Sequence, residues 1–112
     1  MTDETQRPVA LGCPHCSGGM YFVEADGALR YRCHVGHDYT PPAMLAAQRT
    51  KIESSLWTAI SLLEEQAVVH QHLATRAAQS GATTTVDDQC TAAGEILRAA
   101  DTIRKHLAGI AP

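Results

Sequence analysis

A small α+β fold, a metal-stapled β-hairpin followed by an antiparallel α-helical hairpin, is predicted by three observations. Three of the four cysteines fall in one short stretch, as Cys13-x-x-Cys16 and Cys33-x-x-x-His37. Between the two groups runs an alternating segment broken at Asp26-Gly27, a strong two-residue hairpin signal. Beyond Thr40-Pro41-Pro42, apolar residues recur at steps of three and four, with one clear break at Ser80-Gly81.

A chain of 112 residues has room for one ordinary domain, or for two sub-domains too small to build large separate cores. Hydrophobic residues make up 45% but aromatics only 4%, and much of the apolar content is alanine, which suits close helix packing. The formal net charge of -3 offers no general attraction to phosphate backbones and argues against a nucleic-acid partner. No apolar run approaches the roughly 20 residues that span a bilayer, and the opening MTDETQRPVAL lacks the basic and apolar regions of a secretory signal. The expectation is a cytoplasmic protein without a membrane partner. In a reducing compartment, clustered cysteines bind metal or do redox chemistry sooner than they form structural disulfides.

The elements follow in order. Residues 1–8 are polar, end at Arg7-Pro8 and are expected to form a flexible tail. Residues 9–40 form the metal module. If Asp26 and Gly27 are the loop of its hairpin, Ala25 faces Ala28, Glu24 faces Leu29, Phe22 faces Tyr31 and Met20 faces Cys33. One face then carries Met20, Phe22, Leu29 and Tyr31 and is the one to bury, while the other pairs Val23 with Arg30 and Tyr21 with Arg32. Residues 41–112 form the helical hairpin, with helices at about 41–79 and 86–109.

Thr40 can cap the first helix, whose first turn tolerates the prolines. Leu45, Ile52, Leu56, Ala59, Ile60, Leu63, Ala67 and Ala74 mark its apolar stripe. Ser80-Gly81 stops it, and 82–84 supplies a loop. Thr85-Val86-Asp87-Asp88 fits a capping pattern for the second helix, whose stripe is Val86, Cys90, Ala93, Leu97, Ala100, Ile103, Leu107 and Ile110. Gly94 inside it marks a possible close helix approach. Antiparallel packing sets His72 near Ala93, Leu63 near Thr102 and Leu56 near Gly109. The first helix is then about four turns too long for its partner, so Met44, Leu45 and Ile52 must pack on the metal module, on another chain, or on nothing.

The hairpin starts and ends at neighbouring points, so the Cys13/Cys16 and Cys33/His37 turns come side by side. Three soft thiolates and an imidazole suit zinc, and a full set of four protein ligands leaves no open position for a catalytic water. His37 is the preferred fourth ligand; His15, inside the Cys-x-x-Cys loop, and His34, next to Cys33, are the alternatives. A redox Cys-x-x-Cys would sit at a helix start in a strand-helix-strand setting, which is missing here. His70, His72 and His106 read as surface or seam residues, and Cys90 as a buried small thiol. Trp57, beside the stripe, reads as core, with a partner anchor as the alternative. No carboxylate pair, nucleophile elbow, phosphate loop or HExxH motif is present.

The stretch CPHCSGGMYFVEADGALRYRCHVGHDYTPPAMLAAQ, followed by SLWTAISLLEEQA, resembles the C-terminal extension of some bacterial chemotaxis protein-glutamate methylesterase-like proteins and their small stand-alone relatives. The resemblance covers residues 11 to about 67 and rests on a CPxCGG turn, a CRVGH-like strand end and a Leu-Trp-x-Ala helix step. Ser17 stands where that pattern has glycine, and His34 where it has arginine. It implies a metal role for Cys13, Cys16, Cys33 and His37. These residues include no methylesterase domain, so the resemblance implies an accessory module and no esterase activity.

The function expected is a non-enzymatic zinc-binding interaction or regulatory module. A structural Zn2+ folds a zinc-ribbon-like hairpin, and the helices contact a protein partner or assemble a homo-oligomer. Two alternatives stand beside it. One is a nucleic-acid- or ribosome-associated zinc ribbon using Arg30, Arg32, Tyr21 and Tyr31; the other is a thiol redox or metal sensor.

Overall fold

The structure, a computed structural model, describes residues 5–110, with the side chain of Ile110 outside that description. It is a four-stranded antiparallel sheet followed by two helices packed against each other: β1 (Thr5–Gly12), β2 (Gly19–Ala25), β3 (Ala28–Cys33), β4 (Asp38–Tyr39), α1 (Pro41–Gln79) and α2 (Thr83–Ile110). The strands lie in the order β1-β2-β3-β4.

The β2–β3 register is the one that Asp26-Gly27 dictates, from Ala25 opposite Ala28 to Met20 opposite Cys33. Asp26 and Gly27 both have positive φ, 53° and 76°, as a two-residue turn matched to the strand twist requires. β1 corrects the expected tail. Residues 5–8 pair with β2, Thr5 opposite Glu24 and Pro8 opposite Tyr21, while residues 1–4 of that tail lie outside the description. Pro8 lies on β1, an edge strand, where a sheet accommodates proline.

The added strand makes β2 central, and β2 has a buried side chain on each face. Val23, expected on the open face, is fully buried, set between Gln6 and Arg30 on its two neighbours. Phe22, Leu29 and Tyr31 are only half-buried. On the other face Met20 joins Cys13, Cys33 and Met44 in a buried cluster, flanked by Val9, Leu11, Tyr31 and Tyr39.

Thr40 caps α1: the Ala43 N–H donates to its Oγ1 at 3.3 Å and the Met44 N–H to its carbonyl at 2.8 Å. The helix ends in a Schellman turn. The Ala82 N–H donates to the Ala77 carbonyl at 3.0 Å and the Gly81 N–H to that of Ala78 at 3.2 Å, around Gly81 at φ 75°. This turn reverses the chain at once, so α2 begins at Thr83, not near 86, and Asp87 and Asp88 lie beyond its first turn.

The chain divides into two compact units between Ile52 and Glu53, inside α1. In the first unit, Met44 packs into the ribbon cluster, whereas Leu45 and Ile52 are exposed. In the second, Ile60, Ala100 and Leu107 form the buried cluster with Leu56, Leu63 and Ile103 around it. Ala67, Ala74, Ala77 and Ala93 are also buried. His70 meets Gln89 at 2.5 Å and Glu64 pairs with Arg104, so the helices are antiparallel as expected, with Glu64 within a turn of the expected alignment and His70 nearly two turns from it. Trp57 is 51% exposed and so is not core, and Cys90 is exposed. Gly94 marks no close helix approach, since a Cβ there would meet only Arg98 of its own helix.

Candidate metal centre

Two backbone turns build the centre. Cys13 follows β1; its N–H donates to the Gly18 carbonyl at 2.8 Å and its own carbonyl accepts from the Ser17 N–H at 2.8 Å. The loop can close this tightly because Ser17 takes a left-handed conformation, φ 64°. Cys33 ends β3; its N–H donates to the His37 carbonyl at 3.0 Å and its carbonyl accepts from the Gly36 N–H at 3.0 Å, with Gly36 at φ 112°. Gly12 pairs with Gly19 and Met20 with Cys33. Both turns therefore open from the same end of the sheet.

There Cys13, Cys16, Cys33 and His37 bring their ligand atoms within 4.8 Å of one another, a group that could hold a metal ion. His37 Nδ1 lies 3.2 Å from Cys33 Sγ and 3.6 Å from Cys13 Sγ, and the Cys16 and Cys33 sulfurs are 3.8 Å apart. These separations exclude disulfides, which need about 2.05 Å, and all four cysteines are free. Cys13 and Cys33 are buried, His37 is half-buried and Cys16 forms the exposed corner.

The local electrostatics bias the thiols unequally. Burial pushes Cys13 up, but hydrogen bonds from the Cys16 and His15 backbone, with contacts from the Cys16 and Tyr39 side chains, outweigh it and bring the thiol down to about 7. Cys33 is also lowered: burial opposes, and the backbone of His37, Val35 and Gly36 with the His37 ring prevails. Cys16 is raised, because the Gly18 backbone, which lowers it, is overcome by desolvation and the neighbouring Cys13 and Cys33 sulfurs. Crowded thiols that cannot all ionise together are the situation a bound cation relieves.

His15 and His34, the alternative ligands, stand beside the group. The His15 ring lies against that of His37, centroids 4.4 Å apart. His34 packs over Gly18, where a Cβ would come within 2.7 Å of its Cε1 and 3.3 Å of Cys16 Sγ. A side chain at 18 would displace the His34 ring and crowd Cys16 Sγ, which spacing in the sequence does not reveal. Two other neighbours were not foreseen: Tyr39, whose hydroxyl is 4.0 Å from Cys13 Sγ, and Lys51, whose Nζ donates to Ser17 Oγ at 3.3 Å. Burial and the nearby thiols push the Tyr39 hydroxyl up, so it stays protonated.

Arg30 and Arg32, the basis of the nucleic-acid alternative, both bind Asp38, at 2.9 and 3.3 Å. Burial would raise the Asp38 carboxyl, but the two guanidiniums hold it below its ordinary range. No described helix is long and apolar enough to cross a membrane. No protein-family model matches the chain, and neither does any curated protein or solved structure.

Proposed function

We propose that the four-residue group is a structural zinc site in a non-enzymatic module whose helical hairpin makes protein contacts. The observation that carries this is the spacing of the donor atoms. With bonds of about 2.3 Å to sulfur and about 2.0–2.1 Å to nitrogen, a tetrahedron has sulfur–sulfur edges of about 3.8 Å and sulfur–nitrogen edges of about 3.6 Å. Three of the six edges, at 3.8, 3.6 and 3.2 Å, lie near those values, and all six are within 4.8 Å. Three thiolates and an imidazole suit zinc, and four protein donors leave no coordination position for substrate or catalytic water.

Zinc here would cross-link the end of β1, the end of β3 and the turn before β4, and so hold the sheet in register. The protein residues around it have separable roles: Gly18 leaves room for His34, Ser17 and Gly36 provide the turns, and Met20 and Met44 close the apolar side. The test is elemental analysis of the purified chain, with one zinc per chain expected. Cys33→Ser should abolish binding, and stoichiometric zinc retained in that variant would sink the assignment.

The exposure of Cys16 favours one competing reading, a thiol redox or metal sensor. Fast alkylation of Cys16 with loss of the ion would support it, whereas slow alkylation in the loaded protein supports a structural site.

A further inference from the structure

α1 carries more apolar surface than α2 covers. Leu62, Val69 and Leu73 are 60, 55 and 44% exposed. With Ala59 and Gln66 they run at steps of three and four along α1, beside the face that buries Ile60, Ala67 and Ala74. In heptad terms Ala59, Gln66 and Leu73 take position a, Leu62 and Val69 position d, and Glu65 and His72 the flanking position g. Ala59, Leu62, Leu63 and Gln66 line a shallow groove. Their spacing of i, i+3, i+4 and i+7 is that of the four-residue hole that receives one side chain of a facing helix in knobs-into-holes packing.

Building on the proposal that the helical hairpin is a contact surface, we infer that this face pairs with the same face of a second copy. The two α1 helices run antiparallel, and Leu73 of each is the knob for the 59/62/63/66 hole of the other. The match is self-complementary, as a two-fold interface requires. Leu73 is large and exposed, while Ala59 leaves the hole open on one side.

The same register sets Gln66 against Val69. It limits the overlap to residues 56–79, about 36 Å of helix, which lies wholly in the second unit. It also places Glu65 of one copy opposite His72 of the other, a carboxylate acceptor against an imidazole N–H. Sliding by one heptad would set Glu65 against Glu65, like charge on like. A parallel pairing would stack Ala59 on Ala59 and Gln66 on Gln66, leaving a small layer and a buried amide pair.

The test is sedimentation equilibrium on the full chain, with zinc measured in the same samples. The wild type is expected to be a dimer, and Leu73→Glu to weaken it roughly 30-fold or more, the scale of losing a buried anchor, with helicity retained. If Leu73→Glu unfolds, Gln66→Leu replaces it and should tighten the dimer, since it exchanges a buried amide for an apolar side chain. A benzophenone amino acid at position 73 should cross-link to the peptide holding residues 59–66 of the other chain. A monomeric wild type, indifference to Leu73→Glu, or capture of 73 by 73 would overturn the inference. A zinc-loaded monomer overturns this pairing and leaves the zinc assignment standing, whereas a dimer without zinc does the reverse.

Discussion

In the ribbon, the buried cluster is Cys13, Met20, Cys33 and Met44, so half of it consists of thiols of the candidate metal centre. In the helical hairpin it is Ile60, Ala100 and Leu107, extended along the helices by buried alanines. Neither is a large core, and units of this size draw only a few kcal/mol from burial alone. The difference lies in what completes each. In the ribbon the cluster adjoins a group of four side chains that could hold an ion, while in the hairpin the cluster leaves Leu62, Val69 and Leu73 of α1 exposed. Under the proposed reading the first unit depends on a ligand, whereas the second has none of these donors in its core and carries a row of exposed aliphatics on α1.

Metal removal separates the two most sharply. Stripping the ion with a chelator, or Cys33→Ser, should cost the ribbon on the order of 10 kcal/mol. Amide exchange should then show β1–β4 unprotected while α2 keeps its protection; an intact sheet without metal would break the contrast. Ile60→Ala makes the reciprocal test. It should cost the hairpin about 2–5 kcal/mol, as large-to-small core changes do, with metal stoichiometry unchanged by elemental analysis.

The thiols sharpen the ribbon's side of the comparison. The contacts that lower Cys13 to about 7 and raise Cys16 belong to the folded ribbon, which the metal-free chain is expected to lose. Without them a thiol keeps its ordinary value of about 8.5 and its proton at neutral pH, so metal binding should release protons and affinity should fall with acidification. Calorimetry in buffers of different ionisation heat reads this directly, and binding without proton release at pH 7 would contradict thiolate ligation.

The smallest expected effects are both stabilising and come from opposite substitutions in the two units. Ser17 pays a left-handed conformation at φ 64°, so Ser17→Gly should stabilise the ribbon by up to about 1 kcal/mol. Gly94 sits in a helix with only the flexible end of Arg98 near its missing Cβ, so Gly94→Ala should stabilise the hairpin by about 0.5–1 kcal/mol. Thermal melts of the two variants are the check, and a destabilised Gly94→Ala would show that α2 meets something at that position.

Features governed by neighbours in sequence were legible beforehand. Asp26-Gly27 sets the β2–β3 register because a two-residue loop admits one pairing, and Thr40 with Pro41 and Gly81 mark where α1 starts and stops. The grouping of Cys13, Cys16, Cys33 and His37 was legible because a Cys-x-x-Cys turn and a Cys-x-x-x-His turn at the two ends of one hairpin must meet. β1 was not, since a polar edge strand containing Pro8 has no local signature and is recognisable only from its pairing with β2. Nor was the early start of α2, because Thr85-Val86-Asp87-Asp88 is a reasonable cap that the Schellman turn makes unnecessary.

What the chain's order of residues determined by itself was local geometry: the turns, the helix limits and the four donors. Only the tertiary structure decided which apolar residues are inside. Val23 lies inside, on the central strand β2 between Gln6 and Arg30, and Met44 lies in the ribbon cluster. Leu62, Val69, Leu73, Trp57 and Cys90 are outside because two helices packed through alanine can each cover only one stripe of the other. Burial depends on partners brought from a distance, and a helix with more than one apolar stripe does not state in its sequence which one its neighbour will take.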